Sequence, residues 1–295
     1  MRLSELTGIV PVEVVRDGPI SALGFVTHPG NDMLVFLESD RFLAQMLANP
    51  RVTGVITTEA LAGQLPANVG LALSQNPRRD FYRFHNHLAE HTEFYWHDFP
   101  MEIAADAQIS PAAHVAEKNV RIGRRTVIEP GVVVLSRTII GDDVILRAGC
   151  VVGSQGFEFN RIGDEILPVA HAGGVRLHDR VEIQANSTIS RSIFGGFTEL
   201  DEDTKLDNLV YVAHNVKIGK RCLLAAHAMI AGSVTIGDDV WIGSGAAISS
   251  EITIGDRASI TIGSVVTRDV APGQRVTGNF AVDHDKFIAF LKTIR

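Results

Sequence analysis

From Leu200 onward an aliphatic residue recurs every sixth position: Leu206, Val212, Ile218, Leu224, Ile230, Ile236, Ile242, Ile248, Ile254, Ile260 and Val266. The residue after each is usually small or turn-prone, as at Ala213, Gly219, Ala225, Gly237, Gly243 and Gly255. Four places after each aliphatic comes a second apolar column that includes Val210, Val216, Cys222, Ala228, Val234, Val240 and Ala246. Upstream runs share the phase, through Ile122, Ile128, Val134, Ile140, Leu146 and Val152, and again through Leu177, Ile183 and Ile189. A period of six matches neither the 3.6 of an α-helix nor the 2 of a half-buried strand. It predicts a hexapeptide solenoid. Each hexad makes one short strand and a corner, and about three hexads close a triangular coil. The aliphatic points inward, and the small residue after it is expected to ease the corner. Coils stack by strand pairing at about 4.8 Å, so 103–271 should form about nine coils. By analogy with such solenoids the coil is left-handed, against the usual crossover preference.

Two segments break the phase, 157–174 (FEFNRIGDEILPVAHAGG) and the shorter slip 194–199 (FGGFTE). Loops thrown out of a solenoid tend to carry function. Residues 1–98 lack the repeat. SALGFVTHP, DMLVFLES and TGVITTEAL read as short strands alternating with helices, and FYRFHNHLAEHTEF reads as a helix with Phe81, Phe84 and Leu88 on one face. The tail HDKFIAFLKTIR has helical apolar spacing at Phe287, Phe290, Leu291 and Ile294, and should dock on the last coil or a neighbour. The expected fold is therefore mainly β: an N-terminal α/β domain over 1–98, a left-handed parallel β-helix over 99–273, and a short C-terminal helix within 274–295.

Composition narrows the classes. The net charge of −7 argues against non-specific nucleic-acid binding. No run is apolar for long enough to span a membrane, and the N-terminus lacks a secretory pattern, so a cytoplasmic protein is expected. Both cysteines, Cys150 and Cys222, sit at apolar repeat positions and read as buried, reduced thiols.

The densest candidate chemistry lies in DNLVYVAHNVKIG, residues 207–219. His214 falls two places after the inward Val212, so its side chain is expected on an outer wall. If three prisms associate, such walls pack together and leave clefts between chains, where an imidazole can take a proton from an amine or hydroxyl. Asp207, one face away in the same coil, could orient the imidazole. Gly232 lies directly above His214 in the next coil and exposes an N–H to an oxyanion.

The runs VAHNVKIG and LAAHAMIAGSVTIG, with VVGSQGFEF and GGVRLHDRVEIQANSTISR upstream, resemble the UDP-3-O-acylglucosamine N-acyltransferases of lipid A synthesis. The resemblance covers nearly the whole chain. It implies a homotrimer that N-acylates a nucleotide-linked amino sugar from an acyl-carrier protein or CoA thioester, without a cofactor. It places the general base on His214, an important aspartate on Asp207 and the oxyanion N–H on Gly232. It also implies substrate contacts near Asn215, Gln155 and Phe157, while His227, at an outward position one wall beyond, is a candidate contact for substrate or the pantetheine arm from its place in the repeat. The family's nucleotide-binding segment falls on Phe36, Ser39 and Phe42, where both aromatics persist but Ser39 replaces an asparagine and a proline is missing. Other departures are Gln155 in place of a carboxylate, Ser249-Ser250-Glu251 where relatives often carry a histidine, and a shortened C-terminal extension. Together they suggest a paralogue for a different sugar amine, in surface-glycan synthesis, with a shorter acyl group.

Other signals are weaker. His85, His87, His91 and His97 lack the context of a zinc site and read as a polar helix face. Glu165, His171 and His178 border the longer break and are candidate ligand contacts, as are Lys217, Lys220 and Arg221 for carrier phosphates. Two other functions compete. A metal-dependent hexapeptide carbonic anhydrase would need a histidine pair five apart on the prism, and none occurs. A non-catalytic prism that binds a sugar nucleotide would bind ligand without transferring an acyl group.

Overall fold

The computed structural model describes residues 1–28, 30–278 and 281–294. Asn279, Phe280 and Arg295, within the expected tail, lie outside the described residues. The chain divides into two compact units. One comprises Met1–Asp98 with Gln155–Gly174 and Arg191–Gly196; the other comprises Phe99–Ser154, Val175–Ser190 and Phe197–Arg295.

The second unit is a left-handed parallel β-helix with three walls of nine, eight and eight parallel strands. Most strands are two residues long, the first facing out and the second in: Tyr211 pairs with Met229, and Val212 with Ile230. The inward column forms one continuous core, with Leu206, Val212, Ile230, Ile242 and Ile248 all at 0% exposure. Burial of this column is what a hexad repeat achieves and a single hexad cannot.

The corners differ from the sequence expectation. The small residue after each inward aliphatic does not carry the unusual backbone. Left-handed φ falls two places later, at Leu209, Asn215, Arg221, His227, Ser233 and Asp239, all between +56° and +61°. The glycines serve close stacking instead. A methyl built on Gly219 would lie 2.7 Å from the Gly237 carbonyl of the coil above, and would also strike Asp238. Non-glycine residues tolerate the left-handed corner because each is fixed between neighbouring coils, as where Ser233 N–H donates to His214 O at 2.9 Å.

The first unit is built around a sheet of five strands: β1 (Glu13–Arg16), β2 (Ala22–Leu23), β3 (Met33–Leu37), β4 (Val52–Thr57) and β5 (Gly70–Leu73). Their order is β1-β5-β4-β3-β2, parallel except for β1. Helices α1 (Leu43–Ala48), α2 (Glu59–Ala62) and α3 (Pro77–His91) complete it. The Asn76 side chain caps α3 by accepting from Arg79 N–H at 3.1 Å, and Pro77 follows at the first helical position. As the spacing predicts, Phe81, Phe84 and Leu88 are buried. Leu167 and Val169, from the longer off-phase segment, and Ile193, just before the shorter one, are buried in the same core. Phe194 joins an aromatic cluster with Phe25, Phe81 and His85, at ring separations of 5.3, 5.7 and 4.8 Å.

His85 ties this unit together. Its Nε2–H donates to Ala170 O at 2.7 Å, and its Nδ1 accepts from the Tyr95 hydroxyl at 2.8 Å. Burial lowers its pKa from 6.5 to about 4 against the raising effect of the Ala170 bond. A depressed folded-state value means that protonation favours the unfolded chain. Its contribution is complete above about pH 6.5 and is lost as pH falls to 4, an effect of about 3 kcal/mol. Urea unfolding of the first unit at pH 7 and pH 4.5 should show a larger stability loss for wild type than for His85→Gln; equal losses would contradict this.

The tail helix α4 (His284–Thr293) starts at Asp283, whose side chain accepts from the Asp285 and Lys286 N–H groups. Within one chain α4 does not dock: it has no buried residue, and Phe287 and Phe290 are 46% and 58% exposed, so of the two expected partners the last coil does not cover it. Ile288 and Leu291 are half-buried, and the rest of its apolar side is exposed among the described residues.

Candidate functional site

His214 sits not on a wall, as its position in the hexad suggests, but in the corner between Tyr211–Val212, on the second wall, and Lys217–Ile218, on the third, because each strand is only two residues long. The corner is held on both sides. Asn215 N–H donates to Thr198 Oγ1 at 2.9 Å in the coil below, and His214 O accepts from Ser233 above. Asn215 takes the left-handed conformation, at φ +61°, which asparagine tolerates better than most residues.

The imidazole, half-buried, lies against Gly232 one coil above. A methyl built on Gly232 would fall 2.5 Å from His214 Nε2 and 3.0 Å from Nδ1. Gly232 is absent from the positive-φ residues, so its backbone conformation does not call for glycine. The imidazole of the coil below it does. Among the described residues, no group accepts from the Gly232 N–H, whereas Ser233 N–H and Ala231 N–H are both engaged. Two of the three residues expected to act together, His214 and Gly232, are thus adjacent, and an unengaged amide lies beside the ring.

Asp207 is placed differently. Its Oδ1 accepts from Asn208 N–H at 2.7 Å and from Asn208 Nδ2 at 2.8 Å, while Oδ2 accepts from Ala226 N–H at 3.1 Å. The carboxylate therefore fastens its own corner to the coil above. His227 lies at that same corner, between the first and second walls, a different edge of the triangle from His214, and is exposed with φ +61°.

The basic residues near His214 are already compensated. Lys217 Nζ meets Glu199 at 2.7 Å, Lys220 meets Glu202 at 3.7 Å and Arg221 meets Asp239 at 2.6 Å. Glu199 also accepts from His178 Nε2 at 2.8 Å. Partial burial pushes the Glu199 carboxyl up, but hydrogen bonds from Lys217 and His178 outweigh it and hold the pKa at about 2. These exposed or half-exposed pairs carry little free energy and little charge for a phosphate. Burial raises Cys150 to about 12 and Cys222 to about 11, leaving both as inert thiols.

In the first unit, Phe36 is half-buried at 5.1 Å from Phe81 and 5.8 Å from Tyr82. Arg78 lies over its ring at 5.8 Å and pairs with Glu38 at 2.6 Å. Ser39 precedes a short 3-10 turn, Asp40–Phe42, and its side chain makes no capping bond. Phe42 is 43% exposed beneath Arg41. The first ring is therefore largely core, and only the second is presented to solvent. Gln155 Oε1 accepts from His171 N–H at 3.3 Å. Phe157, 82% exposed, meets Phe159 at 5.0 Å on a hairpin of Phe159–Ile162 and Glu165–Pro168. Glu165 pairs with Arg83 at 2.9 Å, and His171 is 3% exposed. Among the described residues no helix is long and apolar enough to cross a membrane, and no cluster of three metal-ligating side chains occurs.

Comparison with known proteins places these features. Residues 119–154 match the model for the bacterial transferase hexapeptide (six repeats), and residues 215–250 and 233–268 match the hexapeptide repeat of succinyl-transferase. A UDP-3-O-acylglucosamine N-acyltransferase from Anaeromyxobacter dehalogenans is 36% identical over 137 residues, 44% of this chain and 38% of that protein. A second protein of that name, from Nitrobacter winogradskyi, is 44% identical over 98 residues, 33% of this chain and 28% of its own length. The chain therefore matches well under half the length of these relatives. The solved structure of a UDP-N-acetylglucosamine acyltransferase from Campylobacter jejuni overlays with a TM-score of 0.52 at 22% identity, covering 66% of this chain and 81% of that one; this is likeness of fold.

Proposed function

We propose that the chain, which carries hexapeptide repeats and over part of its length resembles UDP-3-O-acylglucosamine N-acyltransferases, transfers an acyl group from a carrier-protein or CoA thioester to the amine of a nucleotide-linked amino sugar. The observation that carries this reading is the imidazole of His214 lying against Gly232, with the Gly232 N–H unengaged. In the proposed reaction the amine attacks the thioester carbonyl and a C–N bond forms. His214 takes the amine proton, and the Gly232 N–H donates to the oxyanion. The intermediate then collapses with loss of the C–S bond, and the proton passes to the departing thiolate. Asp207 has a supporting role in this scheme, since its carboxylate fastens the corner preceding that of His214. Base recognition falls to the exposed Phe42, with Ser39 and Arg41 beside it; Phe36 contributes from within the core.

The proposal includes a homotrimer. Leu209, Leu223, Met229, Trp241, Ile262 and Val265 are 39–63% exposed, and all lie on the first two walls or the corner joining them. A second prism packed there would cover this stripe, and the second wall leads from it to the His214 corner. Light scattering should give three chains for wild type and one for the double variant Leu223→Asp, Trp241→Asp, with acyl transfer lost in the latter. A fully active monomer would contradict the trimer. The reaction itself is tested by thiol release from acetyl-, 3-hydroxybutyryl- and long-chain thioesters in the presence of amino-sugar nucleotides. Release that depends on a free sugar amine is expected; its absence with every pair would refute the proposal.

A further inference from the structure

The strand leading into the His214 corner carries a feature that the transfer chemistry leaves unused. Tyr211 faces outward on the second wall, half-buried, three residues before His214. Its hydroxyl lies 3.3 Å from Ser190 Oγ, which lies 3.4 Å from Ser154 Oγ. The three residues stand in three successive coils of that wall, since Val151 pairs with Thr188 and Thr188 with Tyr211. Ser190 is 1% exposed, so its hydroxyl has left water for these partners.

The backbone is bent to make this row. Pairing between the Ser154 and Ser190 strands shifts register between Val152 and Ser154, where Gly153 takes φ +89°. Such bulges re-aim side chains and are common beside active sites. A methyl on Gly153 would lie 2.7 Å from Thr138 Oγ1, so the bulge requires glycine for space as well as for conformation.

The chemistry of the row is neutral. Each hydroxyl both donates and accepts. Lys217 on the adjoining wall, and Lys220 and Arg221 at its far corner, face carboxylates of their own. A sugar hydroxyl, which also donates and accepts, suits this row better than a phosphate, which only accepts.

We propose that Tyr211 hydrogen-bonds a hydroxyl of the acceptor sugar, with Ser190, backed by Ser154, as its positioning residue. The inference rests on the acyl-transfer reading above and deepens it. Calorimetric titration of the full-length protein with UDP-glucosamine tests it, with acetyl-CoA as the second probe. Tyr211→Phe should weaken UDP-glucosamine binding about tenfold and Ser190→Ala about threefold, the loss of one hydrogen bond and of its alignment. Ser190→Thr should restore wild-type affinity, and acetyl-CoA affinity should be the same in all. Unchanged UDP-glucosamine affinity in Tyr211→Phe overturns the subsite. So does equal weakening of both ligands with a fall in Tm, or failure of the wild type to bind UDP-glucosamine. Wild-type binding that falls in Tyr211→Phe, without acyl transfer by either protein, supports the subsite and counts against the transfer reading.

Discussion

His214→Ala should lower kcat by about 10³-fold, while the protein stays folded with its oligomeric state unchanged. The size follows from the general-base contribution, about 10²–10⁴-fold for a positioned side chain. The fold should persist because the imidazole is at a corner and not in the inward column, whose neighbours Val212 and Val216 remain buried. The backbone bonds of the corner, to Thr198 Oγ1 and from Ser233 N–H, do not involve the ring. The check is a steady-state assay paired with thermal unfolding. A variant that turns over at the wild-type rate removes His214 from the mechanism.

Gly232→Ala should be nearly as damaging, for a reason independent of the amide. Alanine keeps the N–H, so an oxyanion donor remains. What it adds is a methyl 2.5 Å from Nε2 and 3.0 Å from Nδ1 of His214. The ring, at the end of a flexible side chain, must swing away, so the fold yields little and the site yields much. Misplacing a catalytic group by about 1 Å costs about 10²-fold, and that loss in kcat is expected with Tm within a few degrees of wild type. In the His214→Ala background the same substitution should have little further effect, because the ring it displaces is gone; the two losses should not add. Full additivity would mean that Gly232 acts without reference to the imidazole.

Much of the architecture is legible in the hexad phase, because an inward aliphatic every six residues repeats the same local decision in every coil. The vertical neighbour of His214 follows from counting eighteen residues, which reaches Gly232. The corner chemistry does not follow. Glycine after the aliphatic looks like a turn residue, yet the left-handed backbone is borne by Asn215, Arg221 or His227, and Gly219 is small because the coil above lies on it. That distinction depends on stacking, which no single hexad contains. The role of the off-phase segments was also hidden. Leu167, Val169 and Ile193 are buried with the first 98 residues, a partnership across long sequence separations. The spacing of Asp207 points to a partner for the imidazole, while its oxygens in the structure serve Asn208 and Ala226. The Ser154–Ser190–Tyr211 row could have been suspected only from serines out of phase with the aliphatic column.

The central claim is that one imidazole and one amide, a coil apart, face the same reacting carbonyl. A crystal structure of the wild-type protein with an amino-sugar nucleotide and a non-hydrolysable thioester analogue tests it most directly. The sugar nitrogen should lie within about 3.2 Å of a His214 ring nitrogen, with the acyl oxygen at about 2.7–3.1 Å from Gly232 N. Ligands seated at another corner of the prism, or an acyl oxygen turned away from that amide, would contradict the account.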